Sequence, residues 1–372
     1  MSGALINAQP DITRRAWLLY AAAVTSSIPT LWFFLVGEEG ILVNSSLEMA
    51  QRGDWLRLWF YGSDAMHGVF ANWLIILICK VIGWAHAPAA VRVVMIASTA
   101  LCGLILAYLV QRLYRNATLS AVAAVIAVTF ADILLYRGWL GYRDPLLGML
   151  VFGAIAALWL AVHTRQVGWL IGTAVMASLA FLTKGIIAYA FVGAAALVFL
   201  LQRDGRVFLL QPLAVLIAVA TLCVPFVWSQ WMVGDQSHSV RLASEIGTKL
   251  MPQGIASYLW KWTAYPVETL LRLAPVSLLV LWWAWQRRRA EGWSTDPPVR
   301  TALIIAGISF VPFWLAPQSH FRYLLPVTPL IALVLAVAVW RMGDVKVNAV
   351  MRWLWAVVVL KLVFVGVLFF VY

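Results

Sequence analysis

The chain has 372 residues, 63% of them hydrophobic and 11% charged, and a formal net charge of +12; its mean hydropathy is +0.89. Soluble domains do not have this composition, and no polar stretch is long enough to form a large soluble domain of its own. The basic residues are spread over short loops and form no patch, which excludes a nucleic-acid-binding surface.

Apolar runs of roughly 16–22 residues recur along the chain, the length that crosses a ~30 Å hydrocarbon core. The ~10-residue alternating segments of a membrane β-barrel are absent. The sequence therefore predicts an all-α polytopic membrane protein. It forms one transmembrane unit over residues 1–372 with about eleven spans and no soluble C-terminal domain. Many of the 21 Trp residues fall at the ends of apolar runs, among them Trp17, Trp84, Trp228, Trp285 and Trp340, as in an interfacial aromatic belt. Cys79, Cys102 and Cys223 lie inside apolar runs and read as core thiols, neither a disulfide set nor a metal site.

A short polar leader ends in Arg14-Arg15. Trp17 to Val36 then reads as an uncleaved first span whose N-terminus is cytoplasmic. A polar stretch from Glu38 to Trp73 follows, carrying Glu38, Glu39, Glu48, Asp54, Asp64 and His67. Acids gathered at a membrane surface in so apolar a chain mark a site; the plainer alternative is a solvated loop. Val69 to Trp84 is short and carries Lys80. Read as an interfacial helix, it leaves Arg112, Arg115, Arg165, Arg203, Arg206 and the triplet Arg287-Arg288-Arg289 on the cytoplasmic side; read as a crossing, it sends them outside, against the positive-inside bias. The interfacial reading gives a first extracytoplasmic loop over 37–88.

Spans are then expected at Ala89–Val110, Leu119–Tyr136, Pro145–Val162, Gly168–Thr183, Gly185–Leu201 and Val207–Trp228. A second extracytoplasmic loop occupies 229–266, and spans at Val267–Trp285, Thr301–Ala316, Tyr323–Trp340 and Trp353–Val371 complete the chain. This topology, set by the arginines, gathers Glu38, Glu39, Asp54, His67, Arg92, Arg137, Arg143, Asp144, Lys184, His320 and Arg322 on the outer face. Asp132 lies in an apolar run and is expected to pair with Arg137 or Lys184.

Several of these residues fall in a familiar order. Glu38-Glu39, then Met49, then Gly53-Asp54-Trp55 opens the series, followed by His67-Gly68-Val69-Phe70 with Trp73, then Arg92. Asp144-Pro145, Leu182-Thr183-Lys184-Gly185 and Arg322-Tyr323-Leu324-Leu325-Pro326 come after. Over Trp17 to Trp340 the pattern resembles the GT-C glycosyltransferases, specifically the protein O-mannosyltransferase group and the aminoarabinose transferases that modify lipid A. The chain departs from the pattern in having Glu38 where the group has Asp, and in lacking its Pro-Pro pair after His67.

The resemblance implies inverting transfer of a sugar from a polyprenyl-phosphate donor to an acceptor hydroxyl, with no cofactor and no metal. A carboxylate in a partly dry cleft can serve as the base. Glu38 is expected in that role with Glu39 as a supporting acid; the alternative is that the two only cap the first span at the interface. The leaving lipid phosphate calls for positive charge where negative charge develops. Lys184, at a membrane-depth turn, is the first candidate, supported by Arg92, Arg143, His67 and Arg322. For Arg92, Arg137 and Arg143 the alternative is snorkelling at helix ends. Asp144 could cap its helix or belong to the site; the resemblance favours the site. Asp54, Arg137, His320 and Tyr323 are further candidates. The implied partners are a polyprenyl-phosphate sugar, a glycan, lipid or protein acceptor, and the bilayer, and the implied location is a bacterial inner membrane with the site extracytoplasmic. A transporter or flippase is the competing reading. It would show repeated halves, broken helices and ionisable groups at mid-membrane.

Overall fold

A computed structural model describes residues 9–64, 68–232, 254–286 and 296–371. His67 lies outside them. Helix α1, Pro10–Thr25, opens the fold. The expected first span is not one helix. Ser26 Oγ donates back to Ala23 O and Thr30 Oγ1 to Ser27 O, hydroxyl bonds that compete with the helical ladder. Pro29 has no N–H to continue that ladder. A 3-10 turn, Ile28–Trp32, and an extended segment therefore replace the second half of the run.

Between α1 and the first long span lie α2, Glu39–Arg52, a two-residue hairpin pairing Trp59–Phe60 with Ser63–Asp64, and α3, Phe70–Ile82. The expected helix over Val69–Trp84 is α3. The long helices follow: α4 (Ala87–Tyr114), α5 (Ala117–Val128), α6 (Asp144–Thr164), α7 (Val167–Lys184) and α8 (Ile187–Leu201). Then come α9 (Arg203–Leu209), α10 (Pro212–Met232), α11 (Ile255–Arg272), α12 (Val276–Gln286) and α13 (Pro297–Leu315). A 3-10 turn, Phe321–Val327, leads into α14 (Thr328–Arg341), and α15 (Asp344–Val371) ends the chain.

Helices α5, α6 and α14 form the centre. Every residue of α5 after Ala117 is buried, and α6 is buried from Asp144 to Ala161. Their small residues, Ala121, Ala123, Ala124, Gly148 and Gly153 among them, permit the close helix approach on which packing in lipid depends. The outer helices turn Leu216, Phe226, Leu360 and Phe364 outward, as lipid-facing surfaces do.

Six helical segments among the described residues are long and apolar enough to cross a membrane, or up to eight if two bent pairs each count as one. About eleven were expected, and the difference lies at breaks. Leu119–Tyr136 stops being α-helical at Val128 and continues into a π-helical turn, Ile133–Arg137. Val267–Trp285 is cut at Arg272, where α11 and α12 meet at 105°. The expected second loop is helical from Ile255 onward.

The first loop is anchored by one ion pair. Arg92 on α4 and Glu39 at the start of α2 are both fully buried. Arg92 Nε donates to Glu39 Oε1 at 2.9 Å and Nη2 to Oε2 at 2.5 Å. The remaining guanidinium hydrogens go to the carbonyls of Thr30, Phe33 (2.8 Å) and Phe34 (2.6 Å). Glu39 also accepts from Val36 N and Gly141 N, each at 2.7 Å. All five guanidinium donors and four carboxylate lone pairs are thus used. Gly141 is required for this approach: a Cβ there would stand 2.5 Å from Val91 Cγ1 and 2.9 Å from Glu39 Cγ.

Removing one partner of a buried pair strands the other, at a cost of about 3–5 kcal/mol. Arg92→Met is therefore expected to lower the apparent Tm of the detergent-solubilised protein sharply. The double variant Arg92→Met/Glu39→Gln should recover part of the loss. An unchanged unfolding curve for Arg92→Met would show that the pair does not anchor the loop.

Candidate active site

The Glu39 clasp leaves its neighbour free. Glu38 is the N-cap residue of α2, and its side chain is 56% exposed. Its Oε2 lies 3.5 Å from Arg322 Nη1. The Glu38 N–H points at the Tyr142 hydroxyl, 3.5 Å away. Gly37, at φ +59°, makes room for that ring: a Cβ there would lie 2.6 Å from Tyr142 Oη.

Arg322 and Tyr323 sit on the 3-10 turn before α14. Arg322 lies 5.5 Å from the centre of the Tyr323 ring, and Lys184 Nζ lies 5.1 Å from the same ring. Lys184 is the last residue of α7, and its ammonium is ion-paired with Asp144 Oδ1. Asp144 opens α6, followed by Pro145 in the first turn. A lysine at a helix C-terminus and an aspartate at a helix N-terminus each complement a macrodipole, and each helps hold the other. The sequence poses Lys184 as a lysine at membrane depth in need of a partner, and Asp144 is that partner.

Arg143 is buried beside them, and its Nη2 donates to Asn72 Oδ1 at 3.2 Å. The Asn72 amide is fixed in turn by donating to Ser45 Oγ and Ser46 Oγ, at 2.9 and 2.8 Å. Burial pulls the Arg143 pKa down to about 10, against the pull of Asp144 and Glu38, so the group stays cationic at neutral pH. Arg143 Nε and Arg322 Nε accordingly keep no hydrogen-bond partner among the described residues. These contacts link three cations, Lys184, Arg143 and Arg322, with two carboxylates, Glu38 and Asp144. One positive charge is in excess.

A second charged cluster lies nearby. Asp132 pairs with Arg137, at 3.1 Å, and with Arg272, whose Nε also contacts Glu268 Oε1 at 2.7 Å. Arg272 packs over the Phe321 ring at 5.5 Å, which places this cluster one residue from Arg322. His320 faces Tyr323, with ring centroids 6.0 Å apart. Burial, together with Arg322, Arg137 and Lys261, holds the imidazole below its usual pKa despite Glu268.

Asp54 stands elsewhere. It accepts from Leu56 N, Arg57 N and Trp59 Nε1 and shapes the hairpin loop. Desolvation is outweighed there by those bonds and by Arg57, so its carboxyl lies below the usual range. The structure thus brings Glu38, Arg143, Asp144, Lys184, Arg322, Tyr323 and His320 together. Arg137 falls in the Asp132 cluster, and Glu39 and Arg92 are locked on each other. Sequence reasoning missed Asn72, Tyr142, Glu268 and Arg272. Of these Glu268 and Arg272 carried a signal, as charges inside the apolar run expected to span at Val267–Trp285.

A family profile described as dolichyl-phosphate-mannose-protein mannosyltransferase matches residues 66–231. An undecaprenyl phosphate-alpha-4-amino-4-deoxy-L-arabinose arabinosyl transferase of Pseudomonas aeruginosa is 30% identical over 229 residues, 57% of this chain and 40% of that protein. Its counterpart in Pseudomonas paraeruginosa is 31% identical over 230 residues, with the same shares covered. The chain thus spans well under half the length of these curated relatives. Among solved structures, ArnT from Cupriavidus metallidurans bound to undecaprenyl phosphate superposes with a TM-score of 0.66 at 18% identity, covering 89% of this chain and 60% of that one. The apo oligosaccharyltransferase of Archaeoglobus fulgidus gives 0.51 at 12% identity, covering 95% and 55%. In fold, the chain is like these structures: an all-α, multi-pass, GT-C-like membrane protein.

Proposed function

We propose that the chain transfers a sugar from a polyprenyl-phosphate donor to an acceptor hydroxyl, with inversion at the anomeric carbon. One observation carries this reading: Glu38, Arg322, Lys184, Arg143 and Asp144, from four distant segments, are linked in one cluster beside Tyr323 with a surplus of positive charge. The relatives named for undecaprenyl phosphate, and the solved relative that binds it, support a donor of that class.

In the proposed reaction the acceptor oxygen attacks the anomeric carbon while Glu38 takes the hydroxyl proton. The bond from that carbon to the phosphate oxygen breaks, and its electron pair stays on the polyprenyl phosphate. Lys184 and Arg322 face the phosphate and Arg143 adds its charge from behind, so the developing negative charge meets preorganised cations. Asp144 holds Lys184 in place. Glu39 and Arg92 act as positioning residues, since neither has a hydrogen-bonding site left for substrate. Asp54 shapes the juxtamembrane loop, and His320 and Arg137 border the phosphate side.

The membrane arrangement belongs to the same proposal. One unit spans 1–372, with extracytoplasmic loops at 37–88 and 229–266, a cytoplasmic N-terminus and the site on the outer face of a bacterial inner membrane. The arginine distribution supports that orientation. The charges of the site lie at helix ends, and no observation favours a transporter.

Glu38→Gln is expected to lower transfer by about 10²- to 10⁴-fold, the usual worth of a positioned base, while thermal stabilisation by undecaprenyl phosphate persists. Transfer would be followed as release of free lipid phosphate from a panel of polyprenyl-phosphate sugars. Near-wild-type turnover by Glu38→Gln would remove Glu38 as base. Lys184→Met should weaken undecaprenyl phosphate binding by about tenfold or more, the loss of one charge-assisted contact; unchanged binding would move the phosphate elsewhere. Because three cations already supply positive charge, turnover is expected to continue in excess EDTA. A loss restored by Mg²⁺ or Mn²⁺ would put a metal in the reaction.

A further inference from the structure

Beside the Asp132 cluster is an open groove of ≈ 940 Å³ between α11 and the turn that follows α5. Its walls include Asp132, Tyr136, Trp260, Thr263, Glu268 and Arg272. The proposed mechanism does not use it. Two aromatic rings stand in the groove uncovered: Trp260 is 73% exposed and Tyr136 40%. Its ionic groups are paired, Asp132 with Arg137 and Arg272, and Glu268 with Arg272. Counting Arg137, which pairs with Asp132 from outside the groove lining, the two carboxylates and two guanidinium groups balance, so the cluster holds no unpaired charge to attract an anion or a cation. The groove offers flat aromatic faces and hydrogen-bonding groups held in fixed directions. A pyranose, with one C–H face and a rim of hydroxyls, matches both.

The groove also leads to the base. Tyr136 lies beside Tyr142, whose hydroxyl is 3.5 Å from the Glu38 N–H. On the opposite wall Arg272 packs on Phe321, the neighbour of the Arg322 that faces Glu38. Two separate walls therefore converge on one carboxylate. The surplus positive charge lies past that point, around Lys184 and Arg143, where an anionic donor belongs.

We propose that this groove is the acceptor site, and that the acceptor is an uncharged carbohydrate whose reacting hydroxyl is presented to Glu38 past Tyr136. This rests on the transferase reading. A sugar packs on Trp260, donates hydrogen bonds to Thr263 and Glu268, accepts one from Arg272, and extends its terminal residue towards Tyr142. The volume falls within the range of small-molecule pockets, about 300–1,000 Å³, which is room for a short oligosaccharide end and not for a folded partner.

The test separates acceptor from donor. The full chain in nanodiscs is titrated with neutral methyl pyranosides and their linear di- and trisaccharides, and saturation-transfer NMR reports contact. At least one neutral saccharide is expected to bind. Trp260→Ala should weaken that binding by about tenfold or more, as loss of an aromatic anchor does. Trp260→Phe should restore most of it, and Glu268→Gln should weaken it too. Binding of undecaprenyl phosphate, read as thermal stabilisation, should not change in any of these variants. Trp260 is exposed, so its replacement leaves the core intact. Three results would each overturn the proposal: no saccharide contact, saccharide contact indifferent to Trp260→Ala, or loss of undecaprenyl phosphate binding in Trp260→Ala. The last would make the groove a cleft for the isoprenoid chain. Binding of acidic or basic peptides in place of saccharides would also overturn it. Saccharide binding does not require donor turnover; a protein that binds the saccharide but turns over no donor would retain the groove and remove the transferase reading.

Discussion

The buried pair between Glu39 and Arg92 is the interaction on which the arrangement depends. An ion pair in an apolar interior recovers its desolvation cost only when every donor and acceptor is met, and here every one is. The guanidinium does more than neutralise a carboxylate. By taking the carbonyls of Thr30, Phe33 and Phe34 it satisfies a stretch of backbone that has left the helix and could not otherwise be buried in lipid. Through Thr30 the network reaches Ser27, which also receives a hydrogen bond from the buried ammonium of Lys361 on α15. The last helix is thus tied to the same break in the first one. What is held in place is the chain entry to Glu38.

The site itself is built from helix ends. Lys184 closes α7, Asp144 opens α6, Glu38 precedes α2, and Arg322 and Tyr323 lie on the turn before α14. Helix ends are where backbone polarity is unsatisfied and where charged side chains gain from the macrodipole. A membrane protein can place charge there at least cost, because the groups sit near the level where water begins. The breaks that reduced the number of uninterrupted spans belong to the same economy of polar groups. The π-helical turn at Ile133–Arg137 and the 105° bend after Arg272 bring Asp132 and Arg272 together, and neither charge would be tolerable facing lipid alone.

Composition, run length and arginine placement were enough to read the class of fold, and the order of short motifs was enough to read its type. The partner of Lys184 was not legible: the sequence offered the lysine to Asp132, which pairs instead with Arg137 and Arg272, while Lys184 pairs with Asp144. Nor was helix continuity. An apolar run such as Trp17–Val36 has the same hydropathy whether it is one helix or a helix, a 3-10 turn and an extended strap. What decides is where Ser26, Thr30 and Pro29 send their hydrogen-bonding capacity. The fate of Arg92 was hidden for a related reason. A sequence shows that a guanidinium is present but not whether its donors are already taken. Asn72 left no trace at all, because an asparagine in an apolar helix looks the same whether it orients an arginine or merely tolerates its place.

Glu38 and Glu39 show how far environment outweighs residue type. They are adjacent and chemically identical, and residue type alone offers no ground for separating them; only the resemblance put Glu38 first. Successive residues at a helix start project about 100° apart, so the two carboxylates leave the helix in different directions. One enters the protein, meets Arg92, and has all its lone pairs occupied. The other stays half in water with a single long contact to Arg322, able to accept a proton and to be approached. A base must keep an open lone pair near the reacting oxygen, and only Glu38 does. Exchanging the charges of Glu39 and Arg92 could preserve the attraction between them, but the carbonyls of Thr30, Phe33 and Phe34 need donors on the α4 side and the N–H groups of Val36 and Gly141 need acceptors on the α2 side. The polarity of the clasp is therefore set by the backbone around it, and with it the choice of which glutamate remains available for chemistry.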